Sequence, residues 1–140
     1  MTGLPGDPVG HRAELAWRVD RSLCTSRGDR HLLSTPSLVL LVELASIEAV
    51  APFLGEGEAT VGTEVNIRHL APTPEGATVR AEAIVRERDG RRFRLDVEVF
   101  DDVDQIGVAE HERFVVGLDR YAARLDEKSA RLAQAGAPQA

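Results

Sequence analysis

The first clear rhythm in the chain is short: Leu15, Trp17 and Val19 alternate with small or polar neighbours. Successive side chains of a strand face opposite ways, so this pattern predicts a first strand with its apolar side inward. Residues 20–34 hold five charged side chains and no aromatic, and read as a loop or a broken helix over the surface. At Ser34-Thr35-Pro36 the pattern changes. From Leu38 to Val50 nearly every position is apolar, which predicts a helix buried on most sides. Thr35 is the expected N-cap, and Pro36 suits a first turn because its missing N–H would have no helical partner. Pro52 and Gly55 end the run.

Period two then returns. Over residues 58–70, Val61, Val65 and Ile67 share one parity, and Glu64, Asn66 and Arg68 the other. Residues 77–88 turn Val79, Ala81, Ala83 and Val85 inward, and Asp89-Gly90 is a two-residue hairpin signal. Phe93, Leu95, Val97 and Val99 make the next inward row. Asp101 to Asp104 turns the chain again, and residues 105–116 give the last strand. Leu118, Tyr121, Leu125 and Leu132 recur at roughly helical spacing, which predicts an amphipathic helix over 118–134. The glycine- and proline-rich residues 1–12 read as a loose arm, and 135–140 as a frayed tail.

Strands joined through tight turns pair antiparallel, and an almost wholly apolar helix needs a sheet curled around it. The predicted architecture is therefore α+β: a hot-dog fold, with an antiparallel sheet wrapped around a long buried helix, plus a C-terminal helix. All of residues 1–140 form one domain. A half-wrapped helix leaves one side open, and a second copy of the chain is its natural cover, so a homodimer or a higher oligomer is expected.

Composition narrows the function. Lysine and arginine number 17 against 23 aspartates and glutamates, a formal charge of −6, which disfavours a nucleic-acid partner. Cys24 is the sole cysteine; it makes neither an internal disulfide nor, by itself, a metal site, and fits a cytoplasmic protein. The N-terminus lacks the basic start and apolar stretch of a signal peptide. The apolar run Leu38–Ala51 is short and interrupted by Glu43, Ser46 and Glu48, so a core helix is expected and no membrane partner.

Three side chains stand out. Glu43 lies mid-way along the apolar helix, where a lone carboxylate is costly to ionise and seeks a partner; the alternative is a partly exposed glutamate on the one wet stripe, as read for Glu48. His69 shares parity with Val61, Val65 and Ile67, so it should point toward the helix, and it sits at a strand end before Ala71-Pro72-Thr73-Pro74. It is either a satisfied core histidine or a group facing a cleft. Thr35 is a cap whose hydroxyl also lies where a helix N-terminus favours negative charge. His11, His31 and His111 have no comparable setting. No histidine pair has metal-ligand spacing, so no metal is expected. Gly55-Glu56-Gly57 opens no helix and is not a nucleotide fingerprint.

The run from Thr35 to Val50, the stretch Thr60-Val61-Gly62-Thr63-Glu64-Val65-Asn66-Ile67-Arg68-His69, and the segment Gly107 to Val116 resemble the fluoroacetyl-CoA thioesterase-like branch of the hot-dog superfamily. The likeness spans about residues 30–117. It implies that Thr35, Glu43 and His69 are catalytic and that Gly62 and Arg113 contact substrate, with the Gly62 backbone close to the thioester. It further implies hydrolysis of an acyl-CoA thioester of a small or medium acyl group, with no cofactor beyond the coenzyme A of the substrate. Members selective for the fluorinated acyl group carry aromatic lid residues before the helix. None lies between Trp17 and Phe53 here, so an ordinary acyl group is expected. Either Thr35 attacks, with His69 or Glu43 taking its proton, or Glu43 attacks or activates water. The competing readings are a non-catalytic acyl-CoA-binding dimer and a hot-dog hydratase or dehydratase.

Overall fold

The computed structural model describes residues 6–136. These form strands β1 (Arg12–Arg18), β2 (Cys24–Arg27) and β3 (Arg30–Leu33), helix α1 (Thr35–Val50), strands β4 (Glu58–His69), β5 (Thr78–Asp89), β6 (Arg92–Phe100) and β7 (Gln105–Gly117), and helix α2 (Leu118–Gln134). The antiparallel main sheet has the order β1-β5-β6-β7-β4, and α1 packs across one face of it, touching all five strands. This is the expected α+β hot-dog arrangement.

The core follows from alternation on the sheet. Val79, Ala81, Ala83 and Val85 of β5 and Phe93, Leu95, Val97 and Val99 of β6 are all buried against Leu38, Leu41, Val42, Ala45, Ala49 and Val50 of α1. Alanines at 81 and 83 let the helix approach closely. Ser46, also fully buried, satisfies its hydroxyl by donating to the Val42 carbonyl at 2.8 Å.

Four expectations need correction. Residues 20–34 are neither loop nor broken helix: a 3-10 turn at Arg21–Leu23 leads into the β2–β3 hairpin. The polar composition misled because this hairpin lies against the loop at Thr73–Glu75 and has no continuous apolar face. Residues 1–5 of the expected loose arm lie outside the described residues, but its later part is bound. The Gly10 N–H donates to the Val85 carbonyl at 2.8 Å and the Val85 N–H to the His11 carbonyl at 3.0 Å, extending the β1–β5 ladder.

The N-cap of α1 is Ser34, not Thr35: the Ser34 Oγ accepts from the Ser37 N–H at 3.2 Å. Thr35 is the first helical residue, and its hydroxyl is released from capping. Finally, Val61 faces outward. The β4–β7 register shifts between Gly62 and Glu64, so Thr63 is an extra residue in a β-bulge and the parity inverts across it. Thr60 and Gly62 turn inward before the bulge, and Val65, Ile67 and His69 after it.

Two surfaces bear on the site. On α1, Leu40 is 46% and Ile47 38% exposed; with Pro36 and Glu43 they share one helical face turned away from the sheet. Beside it, β4 is the last strand of the sheet and its outer edge has no neighbouring strand among the described residues.

Candidate active site

The five residues singled out from the sequence fall into two groups. The first is at the start of α1. The hydroxyl of Thr35 lies 2.9 Å from Nδ1 of His69, which closes β4 and faces inward opposite Gly107. Burial holds the His69 pKa below its ordinary value of 6.5, so its imidazole is neutral near pH 7. The Nε2 of His69 is buried and has no hydrogen-bond partner among the described residues. A shallow cleft of about 260 Å³, walled by Leu32, Leu70, Ala71 and Pro72, opens beside the ring.

The second group surrounds Glu43, eight residues further along α1 and therefore about 12 Å along its axis. Oε2 of Glu43 is 3.7 Å from the guanidinium of Arg113. That arginine, on the inward face of β7, is only 3% exposed. Its Nε donates to Thr60 Oγ1 at 2.8 Å and a terminal nitrogen to the Thr60 carbonyl at 2.9 Å. Burial pulls the guanidinium's pKa down, and the carboxylate of Glu43 opposes that pull.

Gly62 explains itself by space, not by backbone conformation. A Cβ built there would lie 3.1 Å from an Arg113 terminal nitrogen, 3.2 Å from Glu43 Oε2 and 3.3 Å from His111 Cε1. Any side chain would displace the group. The bulge at Thr63 is what aims Gly62 at the helix, and thus what makes this convergence possible.

Sequence reasoning missed His111. It is wholly buried, with Nδ1 2.7 Å from the Glu64 carbonyl and Nε2 3.2 Å from Arg113. The signal was present: Ala109, His111, Arg113 and Val115 alternate with Val108, Glu110, Glu112 and Phe114, so His111 shares the inward parity of two apolar residues. Thr60 escaped notice because the parity of β4 was carried straight through the bulge. Among the described residues, no cluster of three or more His, Cys, Asp or Glu side chains is arranged to hold a metal ion.

The pattern of the fluoroacetyl-CoA-specific thioesterase family, FlK, matches residues 18–119. The fluoroacetyl-CoA thioesterase of Streptantibioticus cattleyicolor is 39% identical over 98 residues, which is 70% of each chain. A solved structure of the fluoroacetyl-CoA thioesterase FlK superposes with a TM-score of 0.82 at 33% identity, covering 89% of this chain and 98% of that one. A Thermus thermophilus hypothetical protein of the thioesterase superfamily reaches a TM-score of 0.85 at 26% identity, over 94% and 99% of the two chains. With the family pattern, the sequence identity and the superposed fold in agreement, the chain belongs to the fluoroacetyl-CoA-specific thioesterase family, hot-dog hydrolases of acyl-CoA thioesters.

Proposed function

We propose that the protein hydrolyses the thioester of a small or medium, non-fluorinated acyl-CoA, as a cytoplasmic homodimer that needs no cofactor beyond the coenzyme A of its substrate. The observation that carries the catalytic reading is the 2.9 Å contact between a helix-terminal hydroxyl and a neutral imidazole with a buried, unpartnered second nitrogen. Neutral His69 is fit to accept a proton on Nδ1, which places the remaining ring proton on Nε2.

In the route we favour, Thr35 Oγ attacks the thioester carbonyl and its proton passes to His69 Nδ1. The C–S bond then breaks and the thiolate of coenzyme A leaves with that proton. Water then gives a proton to the same nitrogen and attacks the acyl carbon; the acyl–Oγ bond breaks, the acid leaves, and Thr35 Oγ takes that proton back. The N-terminus of α1 supplies few donors for the oxyanion. Pro36 has no N–H, the Ser37 N–H is held by the Ser34 side chain, and that of Leu38 by the Ser34 carbonyl. We therefore assign the oxyanion to the Gly62 side of the site, with Arg113 as a substrate contact.

A dimer reconciles the two groups. An antiparallel β4–β4 pairing with its two-fold axis at Asn66 sets His69 of one subunit opposite Gly62 of the other, because Thr63 is passed over at the bulge. Glu43 of the partner subunit then comes toward the unpartnered Nε2, completing a hydroxyl–imidazole–carboxylate relay. The unpaired β4 edge and the exposed Leu40 and Ile47 support this pairing, since both are liabilities in a lone chain.

The substrate reading rests on the β2–β3 hairpin beside the cleft, whose tip is Ser26-Arg27-Gly28-Asp29-Arg30 and carries no aromatic ring. The test is free-thiol release from a panel of acyl-CoAs that includes acetyl-CoA and fluoroacetyl-CoA. We expect turnover across short and medium chains and less than about tenfold discrimination between those two, roughly the 1.4 kcal/mol that one small substituent commands. A preference of several orders of magnitude for the fluorinated thioester would overturn the hairpin argument, and no turnover of any member would leave the acyl-CoA-binding reading.

A further inference from the structure

We propose that His111 is a positioning residue for turnover: it orients the Arg113 guanidinium toward Glu43 and Gly62, and thereby sets the carboxylate half of the site. The inference builds on the reading that Glu43 acts in catalysis.

A buried cation is tolerated only when its donors are used, because desolvation costs several kcal/mol otherwise. Arg113 accounts for its fork as follows. Nε and one terminal nitrogen both grip Thr60, at 2.8 and 2.9 Å, which fixes the guanidinium plane on one residue of β4. The other terminal nitrogen remains. It lies 3.2 Å from His111 Nε2 and 3.7 Å from Glu43 Oε2, between a ring and a carboxylate.

The tautomer of His111 follows from its other contact. A carbonyl oxygen can only accept, so at 2.7 Å from the Glu64 carbonyl Nδ1 must carry the proton. Nε2 is then a bare acceptor aimed at Arg113. An apolar side chain at 111 would suit its neighbours Leu95 and Val65, which stand opposite it on β6 and β4. It would leave the arginine nitrogen unpaired and free to swing.

The charges around the ring keep that acceptor available. From β7, Arg113 disfavours a second positive charge; Glu43 of α1, Glu112 of β7 and the Glu64 carbonyl of β4 favour one. Burial outweighs them, and the pKa lies below its ordinary value. The ring edge is also a wall of the substrate side, since Cε1 would meet a Cβ at Gly62 at 3.3 Å.

Two near-isosteric substitutions separate the roles. His111→Asn retains a donor near Nδ1 and loses the acceptor at Nε2, whereas His111→Gln places an acceptor near Nε2 and loses the donor. With acetyl-CoA, or the best acyl-CoA of the panel, and at matched folded fraction, His111→Asn should lower kcat about tenfold or more. KM should stay within about threefold, because the acceptor acts on the reacting groups more than on substrate affinity. His111→Gln should restore most of that loss. In an Arg113→Lys background, which keeps the charge but not the fork, the two variants should become indistinguishable.

Equal kcat in the two variants at equal folded fraction, or losses that merely follow the melting temperature, would overturn the inference and return His111 to packing. Glu43→Gln is measured alongside. If it loses turnover while His111→Asn keeps it, this inference falls alone; if Glu43→Gln turns over like the wild type, the Glu43 reading falls and the inference with it.

Discussion

Adjacent residues at the start of α1 should separate stability from chemistry. Ser34 caps the helix through its Oγ and also donates to the Ser37 hydroxyl at 2.9 Å, while Thr35 turns its hydroxyl to His69. Replacing Ser34 by alanine removes the cap, a loss of about 0.5–2 kcal/mol. At this chain length that lowers Tm by about 3–5 °C per kcal/mol. The Thr35–His69 pair is untouched, so kcat should stay within about threefold. Replacing Thr35 by alanine removes one hydrogen bond of an exposed residue, about 0.5–1.5 kcal/mol net. Alanine's better helix propensity returns a few tenths to about 0.7 kcal/mol. Tm should therefore move little. Turnover should fall about a hundredfold or more, equivalent to about 2.7 kcal/mol of transition-state stabilisation, and Thr35→Ser should recover part of it. Melting curves and thiol release on the same preparations provide both readouts. The reasoning is refuted if Ser34→Ala loses as much turnover as Thr35→Ala, or if Thr35→Ala melts like a cap deletion with its kcat intact.

Three further outcomes follow from the geometry. Gly62→Ala introduces a Cβ at 3.1–3.3 Å from Arg113, Glu43 and His111; kcat should drop at least about tenfold in a folded protein, and an unchanged rate would show that the cluster is not part of the site. Both His69 and His111 have pKa values below 6.5 in the fold, chiefly through burial. As pH falls below 6.5 the unfolded chain binds these protons first, so unfolding free energy should decline through that window and be insensitive to these groups above it. Chemical denaturation from pH 8 to pH 5 checks the sign, and a rise in stability on acidification would contradict it. Leu40→Asp puts a charge in the exposed α1 stripe and should convert the proposed dimer to a 15.2 kDa chain in sedimentation, with loss of turnover; a wild-type protein that is monomeric and fully active would remove the proposed two-chain site.

Much of the fold was legible because its determinants are periodic. The inward rows of β5 and β6 and the helix from Ser34 onward could be read from side-chain alternation and from a single long apolar run. What was not legible were features set by one residue rather than by a pattern. Thr63 inserts into β4 without any change in composition, yet it inverts the facing of Thr60, Val61 and Gly62. The capping role fell to Ser34 because serine and threonine stand side by side and both can cap; what decides is the backbone, extended at Ser34 (φ −77°, ψ 154°) and helical from Thr35. The β2–β3 hairpin has four-residue strands and mixed polarity, so its pairing depends on the loop it lies against. The Leu33 N–H donates to the Thr73 carbonyl at 2.9 Å and the Glu75 N–H to the His31 carbonyl at 3.0 Å.

The same distinction governs the site. Resemblance supplied a threonine, a glutamate and a histidine in order, and such an ordered trio suggests one cluster. Helix geometry alone speaks against that in a single chain, because Thr35 and Glu43 are separated by more than two turns and each already has a different neighbour. Thr35 has His69 at 2.9 Å; Glu43 has Arg113 at 3.7 Å, with Gly62 and His111 around it. Each half carries an unfinished contact. His69 presents a buried nitrogen without a partner, and Glu43 a side chain 36% exposed on a helix face that also bears Leu40 and Ile47. A two-fold axis is the simplest operation that satisfies both at once, since whatever it brings to His69 of one subunit it also brings to His69 of the other. Burying the apolar stripe and completing the chemistry would then be a single event, and a variant that weakens the pairing of α1 should lose activity in step with dimer content.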